Sequence, residues 1–294
     1  SVTGNELNNV FDVDRIIVSG ENVNLVITNN LFSESVSAAS GSSATIDASA
    51  ATGNTFVNAS AETSSGIYII AAGGNDTISG SGGADTINGG AGNDIIIANG
   101  GNDSITQASA TGGRDFVDGG LDEDTFTITT DTTTAESFVI YTRAEALTAL
   151  TGLTLNANTE IVITRNGTVM AELDNIEEIV VSTLRVTSPG GANGGTVSGD
   201  SISVVGDFNQ TSLNFNTITI DGNTGNDTVD ISALQSAHRI VFTSNGGQDT
   251  IVGALRPQDI VNLDTAAAAP VAAHVTQVDA PVAVDAPAPV AIEA

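Results

Sequence analysis

The sequence predicts an all-β chain, a parallel β-roll or β-solenoid with glycine- and aspartate-rich turns and a small α+β insertion. Three observations lead there. A nine-residue pattern repeats in phase from residue 71 to residue 127, short Ile/Val-rich runs recur along most of the chain, and aromatic residues make up only 4%. Such a composition fills a thin core between stacked strands better than a large globular interior.

Charge sets the second constraint. The chain carries 35 acidic residues against 7 basic ones, all arginine, for a formal charge of −28. A compact state with this excess repels itself unless something neutralises it. Nucleic acid and anionic membrane both require a basic surface and are therefore poor partners, and no nucleic acid is expected. Disorder fits poorly, because 40% of the residues are hydrophobic. Cysteine is absent, and His238 and His274 are the only histidines, so disulfides, thiolate sites and transition-metal centres are not expected. No run of 18 apolar residues occurs, so no transmembrane helix is expected. The first residues lack the basic and apolar regions of a signal peptide, and the start at Ser1 rather than Met points to processing or a trimmed fragment.

Taken in order, residues 1–70 read as metal-free solenoid rows. NVNLVIT, SATID, NTFVN and GIYII recur at roughly coil length, separated by Ala/Ser/Thr-rich turns. Residues 71–127 divide into nines: AAGGNDTIS, GSGGADTIN, GGAGNDIII and ANGGNDSIT, then, after a three-residue insertion at 107–109, ATGGRDFVD and GGLDEDTFT. The sixth position is always aspartate (Asp76, Asp85, Asp94, Asp103, Asp115, Asp124), and the eighth is apolar (Ile78, Ile87, Ile96, Ile105, Val117, Phe126). Glycines among the first four positions, including Gly74, Gly83, Gly92 and Gly101 in the fourth, permit tight turns with positive φ and exposed carbonyls. The aspartate adds a carboxylate beside those carbonyls, giving the all-oxygen surroundings that a hard cation such as Ca²⁺ prefers. Positions seven to nine allow only a stub of strand, its middle side chain pointing inward. Two rows then make one coil, which stacks Asp76 with Asp94 and Asp85 with Asp103. Carboxylates stacked in this way repel unless ions lie between them.

Residues 128–198 read as a mixed insertion. Thr142-Arg143-Ala144-Glu145 forms a capping box ahead of a short helix over roughly 143–150, which Gly152 terminates. EIVIT, Asn166-Gly167 and TVMAEL form a hairpin signal. Residues 199–263 return to solenoid strands, with two isolated aspartate turns, GNTGNDTVD and SNGGQDTIV, centred on Asp227 and Asp249. Their 22-residue separation is not a clean coil repeat. Residues 264–294 form an Ala/Val/Pro-rich tail that composition alone makes a linker, and docking along a strand edge would order it.

The GGxGxDxUx rows of residues 71–127 resemble the repeats-in-toxin family, whose members leave Gram-negative bacteria by type I secretion. The resemblance implies a parallel β-roll with several Ca²⁺ ions held by the row aspartates and turn carbonyls, and export directed by an uncleaved C-terminal segment. The lysine-free, Thr/Ser/Ala/Asn-rich composition also resembles bacterial surface-layer proteins with these repeats. The chain departs from the pattern in places. Ala71, Ala98 and Ala110 stand at the first position, where alanine is expected to resist a left-handed turn. Asp122 replaces glycine at the fourth position of the last row and could add a carboxylate, while the insertion at 107–109 puts the pairing of Asp115 in question. Glu172, Asp174, Glu177 and Glu178 read as a solvated face, and His238 as a packing or capping residue.

These readings point to an extracellular structural protein at the surface of a Gram-negative bacterium. It would fold and assemble with Ca²⁺ into a homo-oligomer, lattice or filament, with cell-surface polysaccharide a further candidate partner. An alternative is a C-terminal secretion and folding module of a larger exported enzyme or adhesin. A third, an ice-binding solenoid, needs a regular Thr/Asn face, and positions seven and nine of the rows are too irregular for one. No enzyme is expected: GxSxG, HExxH and Cys–His signatures are absent, and no segment marks a substrate cleft.

Overall fold

The structure is a computed structural model describing residues 15–27, 44–63, 65–108, 110–130, 134–183, 198–213, 217–262 and 274–278, the last as backbone. The strands lie in two sheets and are numbered along the chain. Sheet A holds β1 (Arg15–Gly20), β3 (Ala44–Ala51), β5 (Ile67–Ile70), β7 (Thr86–Asn88), β9 (Ser104–Ala108) and β11 (Thr125–Thr129). It continues directly into β15 (Glu178–Ser182), β17 (Thr217–Asp221), β19 (Arg239–Thr243) and β21 (Ile260–Asn262). Sheet B runs β2 (Val23–Val26), β4 (Thr55–Asn58), β6 (Thr77–Ser79), β8 (Ile95–Ile97) and β10 (Asp115–Asp118). Then come β14 (Thr168–Asp174), β13 (Ile161–Arg165), β12 (Ser137–Thr142), β16 (Ser201–Val205), β18 (Thr228–Asp230), β20 (Gln248–Val252) and β22 (His274–Val278).

The chain alternates between the sheets, so each coil contributes one strand to each and pairs in parallel with the coil before it. This is a parallel β-roll. In the rows the strands are three residues long where turns take six of every nine positions. The eighth positions Ile78, Ile87, Ile96, Ile105, Val117 and Phe126 are all at most 1% exposed. They stack into two inward columns. One runs Leu25, Val57, Ile78, Ile96, Val117 and Leu173; the other runs Ile46, Ile69, Ile87, Ile105, Phe126 and Ile179. Each buried isoleucine contributes about 1.5–3 kcal/mol, enough to hold coils with few other contacts.

The described strands of residues 15–70 stack in the same two sheets without aspartate turns. The insertion lengthens sheet B alone. Between β11 and β15, the chain lays down β12, a helix α1 (Arg143–Ala149), and the antiparallel hairpin β13–β14. Asn166 and Gly167 close the hairpin with φ of 50° and 78°, as a tight two-residue turn requires. Sheet B therefore carries two strands more than sheet A at this level, about 10 Å of extra length. The helix differs from expectation at both ends. Thr142 makes no side-chain cap bond, because it still belongs to β12 and pairs with Ile161. The helix ends at Ala149 with Leu150 as C-cap, ahead of Gly152. In the tail, β22 pairs in parallel with β20, so part of the Ala/Val/Pro-rich segment docks on a strand edge.

Candidate metal centre

The acidic turns form ladders. Along one edge, Asp76 Oδ1 accepts the Thr55 amide at 2.5 Å, Asp94 Oδ1 accepts the Asp76 amide at 2.8 Å, and Asp115 Oδ1 accepts the Asp94 amide at 2.8 Å. Along the other, Asp85 accepts from Ile67, Asp103 from Asp85, and Asp124 from Asp103, at 2.7, 2.6 and 2.8 Å. Each carboxylate thus reaches back one coil to satisfy a main-chain donor. The insertion at 107–109 leaves this intact: the step widens from 18 residues to 21, and Asp115 pairs normally. A second ladder runs the opposite way, with Asn54, Asn75, Asn93 and Asn102 side chains accepting amides from the following coil.

The other carboxylate oxygens are the informative ones. Among the described residues, Asp76, Asp94, Asp103, Asp124, Asp227 and Asp249 each have an Oδ2 that is buried without a hydrogen-bond partner. All six side chains are at most 2% exposed. A buried charged oxygen left unpaired costs several kcal/mol. Burial accordingly pushes the Asp94 and Asp124 carboxyls up to about 7 and those of Asp103 and Asp115 to about 8. Burial also raises Asp227 to about 7, and raises Asp76 and Asp249.

Among the described residues, no arginine pairs with these groups. Arg15 pairs with Asp47, Arg165 with Glu136, Arg114 with Glu172 at 2.7 Å and Arg256 with Asp259 at 2.8 Å; none of these acids is a row aspartate. Arg143 donates to the Asn156 and Thr159 carbonyls and Arg239 to the Thr217 hydroxyl. Among the described residues, no three His, Cys, Asp or Glu side chains gather at one point. A cation here would draw its remaining ligands from main-chain carbonyls, which suits Ca²⁺ with its six to eight oxygen ligands.

The turn backbone supplies such carbonyls. Position four is left-handed in Gly74, Gly92, Gly101, Gly113 and Gly247, with φ between 77° and 124°. Asp122 takes the same conformation at φ 80°, and its Oδ2 accepts the Gly101 amide at 3.3 Å. Position one is not left-handed, so alanine there meets no backbone strain. The pressure at that position is spatial: a Cβ on Gly89, Gly119 or Gly222 would lie 2.5 Å from the Oδ2 of its own row aspartate. Asp85 and Gly83 differ from the other rows. Both Asp85 oxygens are hydrogen-bonded to Ser81, and Gly83 is not left-handed.

Asp227 and Asp249 are direct neighbours, the Asp249 Oδ1 accepting the Asp227 amide at 2.8 Å across a coil enlarged by loops. Two further members extend this ladder: Asp200 accepts from Glu136 at 2.7 Å, and Asp227 accepts from Asp200 at 2.7 Å. Glu177 extends the earlier one by accepting the Asp124 amide at 2.8 Å. An acidic residue two places before a buried strand residue, as in Glu136-Ser137-Phe138, Glu177-Glu178-Ile179 and Asp200-Ser201-Ile202, is the sequence signal that would have found them. The glycine-rich pattern hid it. The expected solvated face is also corrected. Glu172 and Asp174 are buried, and Glu172 accepts bonds from Thr159, Asn156 and Arg114. His238 is fully buried, with Nδ1 2.8 Å from the Ser236 hydroxyl and its ring edge-on to Phe208. A cleft of about 400 Å³ forms where strands β9, β11, β15, β17 and β19 of sheet A begin, lined by Asn102, Asp103, Glu123, Asp124, Glu177 and Arg239 among others.

A family model for the RTX calcium-binding nonapeptide repeat matches residues 70–105 and 108–127, in four copies. No curated protein and no solved structure matches the chain. Repeats of this kind bind Ca²⁺ at several sites, and the buried, unpartnered oxygens of residues 76–124 fit that ion.

Proposed function

We propose that this RTX-repeat calcium-binding protein is an extracellular structural subunit, non-catalytic, that folds on meeting Ca²⁺ and then assembles with copies of itself into a surface layer or filament. Asp76, Asp94, Asp103, Asp115 and Asp124 hold the ions of the matched rows, with turn carbonyls at Gly74, Gly92 and Gly101. Asp122 supplies an additional carboxylate at the last row. Asp227 and Asp249 carry a second group of ions outside the matched residues. The observation that carries the reading is the row of buried Oδ2 atoms without partners in a chain whose described arginines bond elsewhere. When bound, Ca²⁺ neutralises the stacked carboxylates and ties adjacent coils together.

Two physical points support the wider role. Cytosolic calcium is scarce, so the chain would remain unfolded and exportable until it reaches millimolar calcium outside, where binding energy becomes folding energy. Among the described residues the sheets end at β1 and β2 on one side and at β21 and β22 on the other, and such ends invite further strands or subunits. Cell-surface polysaccharide is the partner such a layer would need for attachment. Electron microscopy of the purified chain with calcium and after chelation tests the proposal. Ordered sheets or fibres that dissolve on chelation are expected. Dispersed particles under both conditions would contradict assembly and favour a folding module of a larger exported protein.

A further inference from the structure

Eight turns share the six-residue glycine and aspartate pattern, ending at Asp76, Asp85, Asp94, Asp103, Asp115, Asp124, Asp227 and Asp249. In six of them position four is left-handed; the exceptions are Gly83 and Gly225. Those two turns share a second feature. A polar side chain at position two, Ser81 or Asn223, turns inward and is buried, at 0% and 4% exposure.

Both side chains reach the same place, the space between their own turn and the coil before it. The Ser81 hydroxyl lies 2.8 Å from the Ser65 carbonyl, 3.3 Å from the Gly83 carbonyl and 2.6 Å from Asp85 Oδ1. Two carbonyls and a carboxylate around one point are the oxygen set a hard cation takes. Asp85 Oδ2 is also used, accepting the Ser81 amide at 2.6 Å. The Asn223 side-chain nitrogen lies 3.1 Å from the Ser198 carbonyl and 2.8 Å from Asp200 Oδ2. The residues correspond, for Ser65 and Ser198 each precede the turn's Gly83 or Gly225 by one coil. Asp85 and Asp200, like Asp115, are absent from the set of buried carboxylates with an unpartnered oxygen, and here the serine and the asparagine account for it.

We infer that Ser81 and Asn223 are internal replacements for a cation, so that the two coil interfaces they fill, residues 65–67 against 80–85 and 198–200 against 222–227, take no Ca²⁺. The inference rests on the calcium reading proposed above and divides its turns into two kinds. A hydroxyl or amide donor does locally what the ion does elsewhere: Ser81 bridges the Asp85 carboxylate to a carbonyl of the previous coil, and Asn223 ties its turn to a carbonyl and a carboxylate of the previous coil. Both interfaces stand where an aspartate-turn ladder meets a coil without the glycine-rich turn. The replacements therefore seal the start of each ion-binding stretch with a contact that forms without calcium, a ready template for the first ion-bound coil.

Counting ions on the full chain tests this. Native mass spectrometry at saturating Ca²⁺ is expected to show one more ion in Ser81→Gly than in the wild type, one more in Asn223→Gly, and two more in the double variant. Unchanged counts in folded variants overturn the inference. A wild-type crystal read by calcium anomalous scattering decides the matter independently of how the variants fold. Peaks are expected beside Asp94, Asp103 and Asp124, with none between the Ser65 and Gly83 carbonyls or beside Asn223. A peak at either of those two places overturns it. A wild-type chain that binds no calcium at all instead overturns the calcium reading itself.

Discussion

At the scale of single residues, the two oxygens of Asp76, Asp94, Asp103 and Asp124 have separate tasks. Oδ1 of Asp94 accepts the Asp76 amide, while Oδ2 is buried without a partner. Asp94→Asn keeps an acceptor for the amide and removes the charge. With calcium present, this substitution is expected to weaken ion binding at least tenfold and lower stability by about 1–3 kcal/mol. In chelator above pH 8 it is expected to raise stability, because a buried unpaired charge has gone. Thermal unfolding of both proteins in both buffers reads the change of sign. Gly89→Ala probes the same atom by crowding: its new Cβ would lie 2.5 Å from Asp94 Oδ2. Calcium affinity is expected to fall, as measured by titration calorimetry, although φ at Gly89 is one that alanine tolerates.

At the scale of elements, neutralisation follows coil type. Coils with aspartate turns leave carboxylate oxygens unpaired, whereas the insertion pairs two of its buried acids with arginine, Glu136 with Arg165 and Glu172 with Arg114. Arg165→Ala removes the arginine partner of Glu136, whose side chain is only 1% exposed, and is expected to cost roughly 3 kcal/mol. Denaturant melts at low and high calcium check that added calcium does not restore the loss. The sequence made the rows legible because a fixed nine-residue period, an invariant aspartate and an apolar eighth position agree with one another. It also exposed the hairpin, since Asn166-Gly167 supplies two positive φ values. It hid the Asp227–Asp249 contact, because enlarged loops break the count without breaking the stacking. Glu136, Glu177 and Asp200 were hidden for a related reason: their turns lack the glycines, while the Glu177 and Asp200 carboxylates and the Glu136 amide keep their places in the ladder. That Ser81 and Asn223 fill space between coils depends on a contact 16 to 25 residues away, which no local pattern records.

For the whole molecule, a formal charge of −28 meets a core that buries carboxylates in register. The folded pKa values of Asp94, Asp103, Asp115, Asp124 and Asp227, at about 7, 8, 8, 7 and 7, lie above the unfolded value of about 3.9. A carboxyl shifted upward on folding favours the folded state while it is protonated. That contribution is complete below about pH 4 and is lost as pH rises through 7 to 8. The calcium-free chain is therefore expected to melt at progressively lower temperature between pH 5 and 8.5. Calcium binding near pH 7 is expected to release protons, which calorimetry in buffers of different ionisation enthalpy detects. A melting temperature in chelator that does not change with pH would contradict these shifts.

The central claim is that Ca²⁺ allows residues 76–124 to keep buried carboxylates in adjacent coils. Hydrogen–deuterium exchange at pH 8 tests it most directly, comparing the full chain in calcium and in chelator. Amides of β6 to β11 are expected to be protected in calcium and to exchange rapidly once it is removed. Equal protection of those strands in both conditions would contradict the account.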